Sequence, residues 1–295
     1  MSRFGIRFRY CPRQPNSIPF SLPCSSLWTY CWGVAVLSVD LAFRRWSDLG
    51  IVVLDRPRPP LPLKATQPPI GCEILPSTVT DSEQGPGPVD ANILAGLLNH
   101  VCGVRGIRVM VLDGPQAWKS RTNGFDHARV SERQLNTAAK TGLPGMVKPV
   151  TYRPFAEFCL DVFDALCRRG WRRLESRDQP CSRTERILVE SYPFAAWKSL
   201  GLKPLPSKRR AKVSDLAEAY HALRSVIPFT TSHPPNHDQL QAIVGGLSGL
   251  ALELPSTDGA RIVGNPPRKE DGHWREGFIV LPTLPPRSVG LRWLH

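Results

Sequence analysis

Four acidic residues stand at positions where an α/β sheet could gather them for chemistry. Asp40, Asp113 and Glu190 each close an apolar run, and Asp238 opens an apolar helical pattern. A carboxylate at the end of a buried strand loses its hydration, which costs several kcal/mol unless a cation or a hydrogen-bond donor replaces the water. If the four acids converge, the sequence predicts a site that needs such a partner.

The run Gly33–Leu41 is typical of a central strand. Alternation puts Val34, Val36, Ser38 and Asp40 on one face and Ala35, Leu37, Val39 and Leu41 on the other. Both faces are apolar up to the acid, which is the pattern of a strand covered on both sides. The alternative interpretation is that Asp40 simply starts a turn.

The helix that carries Asp238 has two distinct faces. Asn236 and Gln239 form a capping-box pattern at its start. One face contains Leu240, Ile243, Val244, Leu247, Leu250 and Ala251, whereas Asp238, Ala242, Gly245 and Gly249 lie on the other. Glycine weakens a helix, so a close approach of that face to other backbone would explain the glycines and would deliver Asp238 to the packing partner. The alternative is an ordinary first-turn acid favoured by the helix dipole.

Converging carboxylates repel one another unless a cation joins them. Oxygen ligands select a hard ion, so the sequence predicts Mg²⁺ or Mn²⁺ held by Asp40, Asp113, Glu190 and Asp238. Two such ions about 4 Å apart activate a water and stabilise the leaving oxygen in phosphodiester hydrolysis.

The charge of the chain favours a polyanionic partner. The 295 residues carry a formal net charge of +13; the first 32 contribute four arginines and no acid, so the remainder keeps +9. Nucleic acid, RNA or DNA, fits such a balance through its phosphates. A merely basic surface is the alternative. The apolar run into Asp40 is too interrupted to span a membrane, so no membrane partner is predicted.

The remaining patterns outline one α/β domain with long proline-rich loops, since the chain contains 30 prolines. Residues 1–32 are predicted to be a disordered extension or, if the start is wrongly assigned, to precede a true start near Val34; 33–283 are predicted to form a single domain, and 284–295 a tail. Further elements are predicted as strands at Gly50–Leu54, Gly71–Leu75 and Gly277–Pro282, and as helices from Asp90 to Gly103, near 128–140, over Phe155–Cys167 and from a cap at Ser214.

The eight cysteines include no C-x-x-C pair, so a zinc site is not indicated. Cys159 and Cys167 lie on the apolar face of a helix, which favours buried, reduced thiols. A reducing, cytoplasmic location fits this use of cysteine best.

Five segments carry a resemblance to a known family. The opening hairpin resembles that of the RNase H-like superfamily, and more closely the chain is similar to the domain-of-unknown-function family 429, predicted RNase H-like nucleases. The segments that resemble it are Val36–Leu54, Leu112–Lys119, Val189–Trp197, Asn236–Ala242 and Trp274–Pro282.

The resemblance implies a five-stranded mixed sheet flanked by helices, with an antiparallel first hairpin. It makes Asp40 the acid of the first strand, Asp113 the acid after the fourth strand and Asp238 the acid of the last helix. Glu190 follows the fifth strand, where the superfamily pattern is less uniform.

Lys119, six residues past Asp113, and Lys208, in the basic loop Lys203–Lys212, are predicted to neutralise substrate phosphate, with solvated surface lysines as the alternative. The resulting hypothesis is a metal-dependent nuclease. A non-catalytic nucleic-acid-binding or regulatory protein on the same fold is the alternative. An actin-like phosphotransferase is disfavoured because no glycine-rich phosphate loop follows Asp40.

Overall fold

The computed structural model describes residues 34–56, 70–75, 87–177, 184–253 and 259–284. The extension predicted over residues 1–32 lies outside these ranges. Residues 285–295 of the predicted tail and the proline-containing segments 57–69 and 76–86 also lie outside them.

One mixed sheet of nine strands runs through the described residues, and a separate pair of short strands, β5 and β6, lies apart from it. The strands in chain order are β1 (Val34–Asp40), β2 (Gly50–Arg56), β3 (Ile70–Ile74), β4 (Val109–Asp113), β5 (Lys140–Thr141), β6 (Val147–Lys148), β7 (Arg172–Arg173), β8 (Ile187–Ser191), β9 (Phe229–Thr231), β10 (Ala260–Glu270) and β11 (His273–Pro282).

The order across the sheet is β10-β11-β8-β4-β1-β2-β3-β9, and β7 also pairs with β8. Strand β2 runs antiparallel to both of its neighbours, β1 and β3, whereas β1, β4 and β8 run parallel. The predicted RNase H-like mixed sheet with an antiparallel first hairpin is therefore confirmed as the central β3-β2-β1-β4-β8 part. The β10–β11 hairpin and β9 extend it at the two edges, so the sheet is wider than the five strands predicted.

Six α-helices flank the sheet in the described ranges: α1 (Ala91–Arg105), α2 (Val130–Gln134), α3 (Arg153–Cys167), α4 (Pro193–Ser199), α5 (Val213–Val226) and α6 (His237–Leu252). Val36 and Val111 pack on the side of the sheet that α4, α5 and α6 cover. Leu37, Val39 and Met110 pack on the side that α1 and α3 cover. The alternation predicted along β1 is thus confirmed, because successive side chains enter opposite cores.

Three predicted helix boundaries were wrong. Helix α1 continues past Gly103 to Arg105 and ends where Gly106 adopts a φ of +65°, a left-handed conformation that glycine adopts without steric cost. Lys212, not Ser214, occupies the N-cap of α5. The helix predicted near 128–140 is only the short α2, because the surrounding segment is committed to buried ion pairs described below.

Cys72, Cys102, Cys159 and Cys167, the cysteines of the described ranges, are all free thiols, in agreement with the predicted reduced state. None of the described helices combines the length and the hydropathy needed to cross a bilayer.

Candidate functional site

Asp40 and Asp113 lie side by side at the carboxyl ends of neighbouring strands. The parallel β1–β4 register pairs Asp40 directly with Asp113. Side chains paired in this way project from the same face of a sheet. The first two predicted acids are therefore brought together by strand register alone.

The two carboxyl groups are close enough to share a proton. Desolvation, followed by the charges of Asp113 and Asp238, raises the pKa of Asp40 well above its usual range, and Asp113 also hydrogen bonds to its carboxyl group. Desolvation likewise raises the pKa of Asp113 from 3.8 to about 7. Two half-buried neighbouring acids repel each other when both are ionised, and a bound cation would stabilise that state.

Asp238 reaches this pair because Gly50 has no side chain. Gly50 pairs with Asp40 in the β1–β2 hairpin. A Cβ atom at Gly50 would lie 2.2 Å from the carbonyl oxygen of Asp238. The first turn of α6 therefore rests on the strand beside Asp40, and Asp238, only 5% exposed, contributes to the electrostatic field at Asp40.

The remaining contact between α6 and the sheet uses small residues on both sides. A Cβ at Gly245 would lie 2.7 Å from Ser191 Oγ, and one at Gly249 would lie 2.6 Å from a methyl group of Val111. The close approach that the glycines predicted is confirmed, although their partners here are strand side chains. Any larger residue would lift the helix and withdraw Asp238 from the strand ends.

Lys208 holds the carboxylate of Asp238. Its ammonium donates to Asp238 Oδ2 and, at 2.8 Å, to Asp48 Oδ1 in the β1–β2 connection. The second carboxylate oxygen of Asp238 lies 3.2 Å from Nδ1 of His237. Desolvation opposes it, but the hydrogen bonds to Asp238 and Asp48 raise the pKa of Lys208, so the lysine is charged.

Asp40, Asp113 and Asp238 do not form a complete set of metal ligands in this arrangement, in which Lys208 pairs with Asp238. Among the described residues, no three His, Cys, Asp or Glu side chains stand close enough together to hold a metal ion. Asp40 and Asp113 fit a hard cation by their chemistry and by their mutual contact. Asp238, the third predicted ligand, is held by Lys208 in this arrangement.

Glu190 does not join this cluster in the observed arrangement. In the β4–β8 register Asp113 pairs with Ser191, whereas Glu190 pairs with Leu112 and so projects from the opposite face. Both of its carboxylate oxygens accept hydrogen bonds from Arg129, each at 2.6 Å, and one also accepts from the backbone of Gln116 at 3.0 Å. Glu190 is thus a buried partner of an arginine, unlike the predicted metal ligand.

Arg129 anchors the segment between β4 and α3, residues 114–152, to the sheet. This segment is called the insertion below. It is 1% exposed, and besides Glu190 it contacts Glu132 Oε1 at 3.1 Å and Thr141 Oγ1 at 3.0 Å. The sequence analysis missed this network. A polar segment of this length could have been recognised as an insertion, but nothing in its spacing identifies the partner of Arg129.

Glu276 is a second buried acid that the sequence analysis missed. It is 1% exposed and accepts hydrogen bonds from the backbone nitrogens of Ser120 and Val130, both at 2.8 Å. It therefore fixes the β10–β11 hairpin to the insertion. An acid before the last predicted strand was visible in the sequence, but its partners were not.

The two predicted phosphate contacts have different surroundings. Lys119 is only 5% exposed, and its ammonium donates to the carbonyl of Ser120 at 2.9 Å, so it is neither a solvated lysine nor open to a phosphate. Lys208 is half exposed and lies in the basic loop beside the exposed Arg209 and Arg210. Neither of these arginines pairs with an acid in the described part of the chain.

Comparisons with known proteins give limited results. No family model and no curated protein matches the chain. Among solved structures, RuvC of Thermus thermophilus matches with 11% sequence identity and a TM-score of 0.31, over 72% of this chain and 90% of RuvC. T. thermophilus RuvC in complex with a Holliday junction substrate matches with 12% identity and a TM-score of 0.28, over 72% of this chain and 89% of that one. The fold assignment accordingly rests on strand order and register.

Proposed function

We propose that this protein is a metal-dependent nuclease that hydrolyses phosphodiester bonds in nucleic acid. The observation that carries the proposal is the in-register contact of Asp40 with Asp113 at the carboxyl ends of two parallel strands, beside Asp238. The five segments that resemble the domain-of-unknown-function family 429 include all three acids, and we propose membership of that family.

Asp40, Asp113 and Asp238 would hold Mg²⁺ or Mn²⁺. Such ions, when bound, activate water and neutralise charge on a phosphodiester. The residues of the chain supply the framework: β1 and β4 fix two carboxylates, and α6 fixes the third. Glu190 and Arg129 position the insertion that borders the site, and they are not ligands in this proposal.

Exposed arginines lie in two segments that adjoin the site, the connection after β1 and the loop that contains Lys208. Arg44 and Arg45 are exposed in the connection that follows β1, and Arg209 and Arg210 are exposed in the loop that Lys208 ties to that connection. A phosphate backbone that lies along these cations would bring a phosphodiester to the strand ends. This arrangement supports nucleic acid over a small anionic substrate.

The contact between Lys208 and Asp238 favours a second candidate, a non-catalytic nucleic-acid-binding protein. An ammonium that neutralises Asp238 permanently would leave two acids and no complete site. This candidate predicts salt-sensitive binding without metal-dependent turnover.

One experiment separates the two functions. A mixed pool of single- and double-stranded DNA and RNA is incubated with the protein in Mg²⁺, in Mn²⁺ or in a chelator. Cleavage should require a metal and should be lost in Asp40→Asn and Asp113→Asn, whereas Asp126→Asn, an exposed acid outside the cluster, keeps it. Circular dichroism checks that each variant is folded. Equal cleavage by all variants would remove the nuclease proposal.

A further inference from the structure

A cavity of about 160 Å³ opens beside Asp113. It lies between the ends of β4 and β8 and the insertion, and Tyr152, Tyr192 and Thr137 contribute to its wall. A cavity of about 150 Å³ is large enough to hold benzene, so this volume suffices for a single small ring. The cavity therefore adjoins the proposed site of phosphodiester cleavage and is separate from the basic loop that contains Lys208.

The charges around this cavity exclude a phosphate. Asp113, Glu132 and Glu190 line it, against a single cation, Arg129. Each of the three guanidinium nitrogens of Arg129 already donates to a carboxylate. An anion would meet a net negative wall with no available cation, whereas an uncharged ring with N–H donors would find acceptors.

An aromatic pair made of the half-buried Tyr192, which lines the cavity, and the exposed Phe194 extends from the cavity towards solvent. Tyr192 caps α4, and the ring of Phe194, in the first turn of that helix, lies 5.9 Å from it between centroids. Phe194 is 44% exposed, and the ammonium of Lys198 lies 4.3 Å from its ring centroid. An exposed ring beside a cation offers a stacking face for a base and a charge for the adjoining phosphate.

We propose that this cavity and the Tyr192–Phe194 pair bind an unpaired base next to the phosphodiester that the acids address. The inference rests on the proposed nuclease function and names its substrate class: single-stranded nucleic acid, or a duplex that is locally unpaired. In a continuous duplex both faces of each base are stacked and its edge is paired, so a base enters the cavity only after it leaves the stack.

The test measures binding without cleavage. The full-length protein is titrated in a chelator with fluorescent single-stranded DNA, single-stranded RNA and the matching duplexes, and anisotropy gives Kd. Wild type should prefer the single strands at equal salt. Phe194→Ala should weaken single-strand binding roughly 5- to 10-fold, the loss expected for one partly exposed stacking face, and leave duplex binding unchanged.

A matched control is Phe125→Ala. Phe125 is 37% exposed and lies 6.0 Å from the guanidinium carbon of Arg133, but it does not line the cavity. Its removal should change single-strand affinity by less than about twofold. An abasic oligomer, which keeps the phosphates and lacks the bases, should bind wild type and Phe194→Ala equally.

Two results would overturn the inference: equal affinity of wild type for single strands and duplexes, or equal losses in Phe194→Ala and Phe125→Ala. Failure of the nuclease proposal has a different signature, because a protein that never cleaves would still show the single-strand preference in chelator. Tyr192→Leu, with its unfolding midpoint measured in parallel, tests the cavity wall directly and should also weaken single-strand binding.

Discussion

Asp113→Asn should stabilise the metal-free protein although it removes a residue of the proposed site. Asp113 and Asp40 lie in register with their carboxyl groups in contact, and no cation contacts either one in the described residues. Replacing Asp113 by its amide removes a desolvated negative charge, together with its repulsion by Glu190, and keeps the size of the side chain. Acids kept for cation binding are expected to carry such a stability penalty.

The pKa of Asp113 sets the size of the gain. A rise from 3.8 to about 7 corresponds to roughly 4 kcal/mol of lost stability once the group is fully ionised. Partial access to water at the strand end reduces this, so we expect a gain of about 2 kcal/mol. For a chain of this length, that is a rise in Tm of roughly 4–8 °C.

The pH dependence gives a second readout. Because the folded-state pKa of Asp113 lies above the unfolded value, the native state binds more protons than the unfolded chain between these two pH values. The free energy of unfolding of wild type should therefore fall from about pH 4 to about pH 7 and then level off. In Asp113→Asn this fall in the free energy of unfolding should be smaller, since Asp40 is then the one member of the Asp40–Asp113 pair that still titrates.

Urea unfolding in a chelator, at about pH 5 and about pH 8, measures both effects. The exposed acid Asp126 offers a matched control, because Asp126→Asn removes the same charge away from the cluster and should change stability by less than about 0.5 kcal/mol. An Asp113→Asn variant that is no more stable than wild type at the higher pH, with an unchanged pH dependence, would refute the repulsion argument.

Three further predictions concern the surroundings of the site. Lys208→Met should tighten Mn²⁺ binding about 5-fold in calorimetry, because no ammonium then competes for Asp238. Lys203→Met, in the same loop, is the control. Equal Mn²⁺ affinities of wild type and Lys208→Met would exclude the competition. Arg129→Met should cost about 3–5 kcal/mol in urea unfolding, because it leaves buried carboxylates unpaired, and a loss below about 1 kcal/mol would contradict that account. Gly249→Val should cost about 1–3 kcal/mol, because its Cβ would lie 2.6 Å from a strand methyl group, and an unchanged unfolding midpoint would show that the helix has room to shift.

The central sheet and the main acid pair could be predicted because both follow from local patterns. Alternation in the run that ends at Asp40 determined which side chains enter each core, and the shorter run that ends at Asp113 is likewise apolar up to its acid. Acids at the carboxyl ends of neighbouring parallel strands can lie side by side, and the β1–β4 register shows that these two do. The capping box and the glycines of α6 likewise gave the position of Asp238 correctly.

The position of Glu190 could not be obtained in the same way. A strand that ends in Glu190-Ser191 presents one residue to each face, and a shift of one position exchanges them. Only the register with β4 shows that Ser191 lies beside Asp113. The arginine that neutralises Glu190 comes from 61 residues away in the chain, and no pattern in the sequence links the two.

The buried acids of this fold divide into two kinds according to their partners. Glu190 has a guanidinium on both oxygens, so its charge is balanced within the protein and a further cation would be redundant there. Asp40 and Asp113 face each other, and the one nearby ammonium is shared between Asp238 and Asp48. A buried charge that the fold leaves unbalanced destabilises the native state, so its retention is best explained by a ligand from outside the chain. By this criterion Asp40 and Asp113, and not Glu190, are the acids that we propose to hold a cation, with Asp238 as their third partner.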